Sequence, residues 1–405
     1  MTKARDIADS TKTLDVDGGT IKLDGNYPVG TGSVALGDTA LDSVQSAGTY
    51  NTAIGHNALT ANTTATNNTS VGAFSLGSNT TGEANTAVGL AALDANTTGS
   101  NNVGLGRDAL GANTTASNNT SVGYQAGLAN TTGYNNLFAG VSAGDSNTTG
   151  ALNALSGSFS GATNTTGSYN TAYGAESLYS NTTASNNTAL GYQAGYSNTT
   201  GADMVALGKG ALKLSTVGNG NTAVGNNALT SSTTPSNNTA LGDNAGAANT
   251  TGSNNTIIGK QALQANTTAS NNTAVGYQAL YTNTTSTSNA AFGNKALHLA
   301  TGTLNTALGN GAGRDLSSGA KNTIIGAYGG NENGLDIRTS SNNIVLSDGD
   351  GNPRLRIGST GAATMGGASY DSTKTLKLQN VDQNSAGSYA IQSIGRQTGA
   401  NGRVH

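Results

Sequence analysis

The side chains that could do chemistry are few and widely spaced in this chain of 405 residues. Its three histidines, His56, His298 and His405, are far apart in sequence, and it has no cysteine. Imidazole and thiolate groups are common metal ligands and catalytic groups, but they act only when several of them converge. We therefore predict no metal site, no cofactor and no enzymatic activity.

Acidic residues offer two further kinds of site. The segment Asp348-Gly-Asp350-Gly-Asn352 begins like a calcium loop, but no glutamate stands at the twelfth position, so a hairpin turn is the preferred interpretation. A glycosidase needs two carboxyl groups about 5 to 9 Å apart. The carboxylates that could form such a pair are scattered along the chain: Glu83, Asp94, Glu176 and Asp243.

Tyrosines are the best candidates for contact with a ligand, because an aromatic ring offers an apolar face to a sugar and a polar hydroxyl. Six of them recur at two places in a repeated segment: Tyr124, Tyr192 and Tyr277 at the first, and Tyr179, Tyr196 and Tyr281 at the second. We take these six as candidate glycan contacts. The alternative is that they shield the edges of the repeats or a seam between chains.

The repeat that positions these residues occupies most of the chain. The glycine that ends its Ala-Val-Gly segment, here called the marker glycine, recurs every 17 residues from Gly55 to Gly293. Gly37, Gly309 and Gly326 extend the series at spacings of 18, 16 and 17. A fixed period of this length indicates one structural unit stacked many times. Its Gly, Asn and Thr content leaves no segment for a capped helix, so we predict an all-β parallel β-solenoid or β-roll of 17-residue coils.

Each position of the repeat has its own residue types. The residue before the marker glycine is aliphatic in most coils, as in Val88 and Val275, and we expect this column to face inward. Ala or Ser stands three residues after the glycine, and we expect that column to form a face for lateral association. Each coil buries only two or three aliphatic side chains. We therefore predict a homotrimer, intertwined or side by side, with a monomer as the alternative.

Two columns are predicted to be structural. Marker glycines are expected at bends where φ is positive or a side chain would clash: Gly55, Gly72, Gly89, Gly106, Gly123, Gly191, Gly225 and Gly276. Asparagines seven residues after the glycine are expected to hydrogen-bond from coil to coil: Asn62, Asn79, Asn96, Asn113, Asn130, Asn181, Asn266 and Asn283.

Four regions follow from the extent of the repeat. Residues 1–30 form an N-terminal capping or attachment segment, 31–330 the solenoid shaft, 331–367 a β-hairpin transition and 368–405 a C-terminal cap or tip segment. A net charge of -3 and the lack of an apolar run of about 20 residues predict neither nucleic-acid binding nor membrane insertion.

The repeat resembles two related groups of proteins. Its Asn-Thr-Ala-Val-Gly-Tyr-Gln-Ala-Leu segment is similar to the head repeats of trimeric autotransporter adhesins, which build left-handed β-rolls. Together with residues 1–8 and 342–357, it resembles tail fibres of marine and cyanobacterial phages more closely. This resemblance implies a homotrimeric fibre on a virion or an extracellular surface. Such a fibre attaches through its N-terminus to other tail or baseplate proteins and adheres to a host surface glycan or protein.

We therefore expect a virion tail fibre or similar appendage that mediates adhesion to a host cell. The alternatives are the adhesin head of a bacterial surface protein, a self-assembling extracellular filament, and an ice-binding solenoid. The last rests on a threonine column that includes Thr222, Thr239, Thr256 and Thr273. Ligand specificity is expected where the period fails, at residues 139–173 or beyond 326.

Overall fold

The computed structural model describes residues 14–16, 19–21, 31–45 and 47–365, and these residues belong to one compact unit. Strands β1 (Leu14–Val16) and β2 (Gly19–Ile21) pair antiparallel. The rest of the predicted N-terminal segment, the predicted C-terminal segment 368–405 and His405 lie outside the described residues.

The shaft is a stack of coils that each contribute one three-residue strand, and each strand pairs in parallel and in register with its neighbours. The parallel β-solenoid predicted from the 17-residue period is confirmed. The shaft strands are β3 (Val34–Leu36), β4 (Thr52–Ile54), β5 (Thr69–Val71), β6 (Thr86–Val88), β7 (Val103–Leu105), β8 (Thr120–Val122), β9 (Leu137–Ala139), β10 (Ala154–Ser156), β11 (Thr171–Tyr173), β12 (Thr188–Leu190), β13 (Val205–Leu207), β14 (Thr222–Val224), β15 (Thr239–Leu241), β16 (Thr256–Ile258), β17 (Thr273–Val275), β18 (Ala290–Phe292), β19 (Thr306–Leu308) and β20 (Thr323–Ile325).

Beyond the shaft the chain forms two smaller antiparallel units. Strands β21 (Asn331–Glu332) and β22 (Leu335–Asp336) pair with each other. The chain then returns to the stack as β23 (Ile344–Ser347), which pairs in parallel with β20. Strands β24 (Pro353–Ile357) and β25 (Ala363–Met365) continue the sheet in antiparallel pairing. The hairpin predicted around Asp348 is thus confirmed as β23 and β24.

The column before the marker glycine faces outward, so the inward orientation predicted for it is wrong. Val88 is 39% exposed and Leu241 48%, whereas Ala87 and Ala240, one residue earlier, are fully buried. The reason is the pleat of the strand, since successive residues point to opposite faces and only one of the two can enter the coil. The small side chain occupies the narrow interior, and the larger one is left on the surface.

The outward side chains form a row that we call the outer aliphatic stripe. It is interrupted at Ala139, Ser156 and Tyr173, and its members stand one residue before the marker glycine: Ile54, Val71, Val88, Leu105, Val122, Leu190, Leu207, Val224, Leu241, Ile258, Val275, Phe292, Leu308 and Ile325.

The Ala/Ser column three residues after the marker glycine is buried inside the coil, for example at Ala58, Ser75 and Ala262. It packs within its own chain, so the prediction that this column forms the face for lateral association is also wrong. Of the two columns, the outer aliphatic stripe is the one available to another molecule.

The core has room for about one large side chain per coil. Most coils supply it as a leucine four residues after the marker glycine, as at Leu229 and Leu263, both fully buried. Where glycine takes that place, a large residue from elsewhere in the repeat fills the space: a Cβ on Gly246 would lie 2.7 Å from Ile257 Cδ1. The same compensation pairs Gly161 with Leu155, Gly195 with Met204, Gly313 with Ile324, and both Gly127 and Gly144 with Phe138.

Buried asparagines link the coils through two ladders. In the column seven residues after the marker glycine, Asn96 Nδ2 donates to Asn79 Oδ1 at 2.8 Å and to the Gly99 carbonyl at 2.9 Å. The same side-chain bond repeats in every coil from Asn79 to Asn198 and again between Asn249 and Asn266. Asn62 and Asn283 instead donate to a carbonyl of their own turn.

The second ladder, four residues before the marker glycine, is not among the sequence predictions. There the backbone N–H of Asn68 donates to Asn51 Oδ1 at 3.0 Å, while its own Nδ2 donates to the Gly82 carbonyl at 3.0 Å. The sequence carries the signal for it, because an asparagine recurs with the period at the position four residues before the marker glycine. Met204 interrupts this ladder.

Two coils lack the asparagine of the first ladder, and this gap allows a prediction about stability. Ser215 and Ser232 occupy its asparagine positions, and their hydroxyls and Asn198 Oδ1 are buried without a hydrogen-bond partner. Replacing both serines with asparagine (S215N/S232N) is expected to stabilise the protein by about 1 to 2 kcal/mol, because buried polar atoms gain partners. The urea midpoint measures this gain.

The matched control for the ladder repair is S215A/S232A, which removes the unpaired hydroxyls but leaves Asn198 Oδ1 without a donor. We expect a smaller gain from this variant than from the asparagine pair. Equal midpoints for the two double variants would show that the coil-to-coil amide bond adds nothing.

Candidate functional site

The three tyrosines that follow a marker glycine lie on the surface of the shaft. Tyr124, Tyr192 and Tyr277 are between 41% and 48% exposed. The guanidinium of Arg107 lies 5.7 Å from the ring centre of Tyr124, where a cation is attracted to the ring face. This column therefore presents rings to solvent at three separated places along the shaft.

The three tyrosines of the second column make ring contacts between coils. Tyr179 and Tyr196 stack with their centres 5.1 Å apart, and Phe159 lies 6.4 Å from Tyr179. Tyr281 stacks in the same way on His298, also at 5.1 Å. Because one face of each ring is covered by a neighbour, these residues shield coil edges. A glycan contact at either column remains a prediction.

The carboxylates considered for a glycosidase pair lie in different coils. Glu176 accepts a hydrogen bond from Gln193, and Asp243 lies 3.6 Å from Lys260. The pKa of Asp94 is raised mainly by burial and, to a smaller extent, by the negative charge of the nearby Asp108. His56 lies 3.6 Å from Asp38 and contacts the edge of Phe74.

The first interval where the period fails changes the surface of the shaft. Ala139 and Ser156 leave a gap in the outer aliphatic stripe, and Tyr173 beside it is 63% exposed. Leu152 and Tyr169 hold positive φ values of 59° at a place where asparagine is the commonest residue.

The second interval begins after Gly326, where the chain leaves the stack. We call residues 327–343, which lie between Gly326 and β23, the excursion. Tyr328 anchors it, because its side chain is fully buried and its hydroxyl donates to the Leu335 carbonyl at 2.7 Å. Burial is the main cause that raises the pKa of Tyr328. Asn333 Nδ2 donates to Asn352 Oδ1 at 2.7 Å, so the excursion is also tied to the turn between β23 and β24.

That turn is organised by Asp348. Its carboxylate accepts from the backbone N–H of Asn352 at 2.8 Å and of Asp350 at 3.1 Å, and it pairs with Arg354. Hydrogen bonds from Asn352, and then Arg354, lower the pKa of Asp348 to about 2. The oxygens that would open a calcium loop thus serve the turn itself. No cluster of three His, Asp or Glu side chains suited to a metal ion occurs in the part of the chain that the structure describes.

A cavity of about 330 Å³ lies between this turn, the excursion and the last shaft coils. Its polar lining comes from Asn294, Lys295, Asn310, Arg314, Glu332 and Asp350. Charge is concentrated around it, since residues 294–356 include eleven charged side chains and the far longer span 60–290 also includes only eleven. The sequence analysis missed these residues, although the local density of charge was visible.

Two charged groups of the lining are unpaired among the described residues. Arg314 pairs with Asp315 at 2.7 Å, and Glu332 accepts from the backbone N–H of Gly329 at 2.7 Å. Lys295 and Asp350 form no ion pair with any described residue. As far as the described residues go, Lys295 and Asp350 thus leave a cation and a carboxylate of the lining available to a ligand.

Comparisons with known proteins add no identification. No protein-family model matches this chain, and no curated protein matches its sequence. The described residues also contain no helix, and so none long and apolar enough to cross a membrane.

Proposed function

We propose that this chain is a structural fibre protein, the homotrimeric shaft of a virion tail fibre or similar appendage, and that it mediates adhesion to a host cell surface. Its N-terminal segment attaches to other tail or baseplate proteins. It works by mechanical reach, and three identical chains raise avidity by presenting the same weak contact three times. The repeat and its flanking segments resemble phage tail fibres, and this resemblance supports the virion location.

The outer aliphatic stripe is the observation that best supports a trimer. From Leu190 to Ile325 every coil contributes an exposed or half-exposed aliphatic or aromatic side chain, over a length of about 40 Å. Contiguous apolar patches of several hundred Å² on a soluble protein mark interaction surfaces. Both outward columns of these strands are free of charge, since the other column is mostly threonine.

A second copy of the chain is the partner that fits this face best. Every copy presents the same periodic stripe, and equal coil spacing lets the side chains of one copy pack between those of another along the whole length. A closed arrangement of three chains covers all three stripes around one axis, whereas an open arrangement would leave an apolar face exposed. The trimer also supplies the core area that a thin coil lacks.

Ice binding is the second candidate, because the threonine column that includes Thr222, Thr239, Thr256 and Thr273 runs in register along the same sheet. Each strand there carries one threonine and one aliphatic residue outward, in place of the two threonines expected of a regular hydroxyl face. If this face binds ice, the purified chain is monomeric and shows thermal hysteresis. A trimer covers the face and shows none.

Sedimentation of the purified full chain tests the trimer. We expect the wild type to sediment as a trimer at micromolar concentration. V224K/L241K is expected to shift it to monomer, because two charges per chain would be buried at the interface. The matched control is N226K, since the position after the marker glycine already carries Lys209 and Lys260 in other coils. A wild-type monomer, or equal dissociation by N226K, contradicts the proposal.

Two further measurements test location and adhesion. Antibodies against residues 31–330 are expected to label the tail fibres of the virus particles in electron micrographs. The purified fibre is expected to bind host cells, and its V224K/L241K monomer to bind them more weakly because avidity is lost. Labelling elsewhere, or equal cell binding by the monomer, speaks against the proposal.

A further inference from the structure

We propose that the cavity at the end of the shaft binds a neutral sugar unit of a surface oligosaccharide. This inference rests on the proposed adhesive function and deepens it by naming a ligand class and a site. It comes from the composition of the lining, the exposed tyrosine next to it and the way the chain builds the cavity. Its volume of about 330 Å³ falls at the small end of the range of about 300 to 1,000 Å³ typical of ligand pockets.

The charge of the lining argues for a neutral ligand. Lys295 and Arg314 are balanced by Glu332 and Asp350, so the four side chains sum to zero. An anionic ligand would meet two carboxylates, and a cationic ligand would meet two cations. A hydroxyl group both donates and accepts hydrogen bonds, so a polyhydroxylated ring can use both kinds of group at once.

The unused hydrogen-bonding groups point the same way. The side-chain amides of Asn294 and Asn310 make no hydrogen bond with the described residues, and Lys295 and Asp350 make no ion pair with them. Glu332 and Arg314, in contrast, are held in place by backbone amides and by Asp315. This combination suits recognition, because the fixed groups lose little side-chain entropy when a ligand binds and the free ones offer unused donors and acceptors.

An aromatic surface continues from the cavity. Tyr277 occupies the same position of its coil as Asn294 does in the next, and the Lys295 N–H donates to the Tyr277 carbonyl at 2.8 Å. One coil corresponds to about 4.8 Å, so the exposed ring of Tyr277 lies about one sugar unit from the lining. A second sugar unit can therefore stack on Tyr277 while the first occupies the cavity.

The cavity exists only where the period ends. Tyr328 and the bond between Asn333 and Asn352 hold the excursion over the last coils. At Gly311 and Gly349, which also line the cavity, an added Cβ would meet no atom within 4 Å. Gly349 also has no positive φ, so a larger residue there does not strain the backbone. Gly349→Leu therefore adds an apolar side chain at the lining of the cavity, and we expect it to narrow the site at little cost to the fold.

Saturation-transfer NMR on the full chain tests the inference with glucose, galactose and mannose at up to about 100 mM, beside galacturonate and glucosamine as charged probes. We expect at least one neutral hexose to bind in the millimolar range and Gly349→Leu to abolish its signal. Circular dichroism of Gly349→Leu checks that the variant folds. If no neutral hexose binds, if a charged probe binds more tightly, or if Gly349→Leu binds normally, the inference is wrong.

A matched pair of tyrosine variants locates the second sugar unit. For a disaccharide of the hexose that binds, Tyr277→Ser is expected to weaken affinity about five- to tenfold, and Tyr124→Ser to leave it unchanged. Equal losses would place binding along the whole shaft and overturn the assignment to the cavity.

The outcomes separate the two proposals. A trimeric fibre that adheres to host cells with Gly349→Leu as well as with the wild type retains the proposed function and loses this inference. Sugar binding that is lost in Gly349→Leu, in a chain that is monomeric and does not adhere, does the reverse.

Discussion

Replacing Gly225 with alanine is expected to destabilise the protein by at least about 3 kcal/mol. Gly225 has a φ of +136°, and a Cβ at this position would lie 2.4 Å from the Gly242 carbonyl oxygen of the next coil. The position of the Cβ is fixed by the backbone of residue 225, and the oxygen it meets belongs to the backbone of Gly242, so no side-chain rotation can relieve the clash. The Gly225 N–H also donates to the Leu207 carbonyl at 2.8 Å, so a shift of the backbone would loosen the coil below as well.

The matched control for this prediction is Gly111→Ala. Gly111 has no positive φ, and its Cβ would meet first a flexible Leu128 side chain at 3.2 Å. Other coils carry alanine at the same position, for example Ala162 and Ala247. We expect a change within about 1 kcal/mol, with a small gain because alanine restricts the unfolded chain. Urea unfolding followed by circular dichroism measures both variants, and similar losses for the two would contradict the role given to the marker glycines.

The stacking of the shaft could be predicted from the sequence because the 17-residue period equals the length of one coil. The marker glycines, the strand before them and the turn at Asp348 all follow from local residue types. The orientation of the strand did not follow. The sequence analysis assigns Val88 to the core because it is apolar, but in a coil this narrow Ala87 occupies the interior and the aliphatic side chain stays on the surface.

The candidate site could be predicted only in part. The loss of period after Gly326 points to the region that contains the cavity, and Tyr277 beside it is one of the six tyrosines predicted to contact a glycan. The cavity itself depends on how the excursion folds back, which is determined by Tyr328 and Asn333 reaching Leu335 and Asn352. Those contacts join residues with no shared pattern in the sequence. Lys295 and Arg314 belong to regular coils, so only the register of the stack places them beside Glu332.

The compensation between glycine and large residues in the core predicts a strong coupling between Gly246 and Ile257. Ile257→Ala alone is expected to cost about 2 to 5 kcal/mol, because it leaves a cavity next to Gly246. Gly246→Leu alone is expected to cost about 1 to 3 kcal/mol, because its Cβ would lie 2.7 Å from Ile257 Cδ1 and 2.9 Å from Leu229 Cδ2. The urea midpoint of each variant gives these values.

The double variant G246L/I257A is expected to recover most of that loss, to within about 1.5 kcal/mol of the wild type. It recreates the arrangement of the neighbouring coils, where Leu229 is followed by Ala240 and Leu263 by Ala274. Leucine is tolerated at this backbone, since Leu229 and Leu263 have φ values of 50° and 48°, close to the 59° of Gly246. Additive losses would mean that each coil packs its core independently. A recovery would show that core volume is conserved between adjacent coils, so that one large side chain per coil is a requirement of the stack.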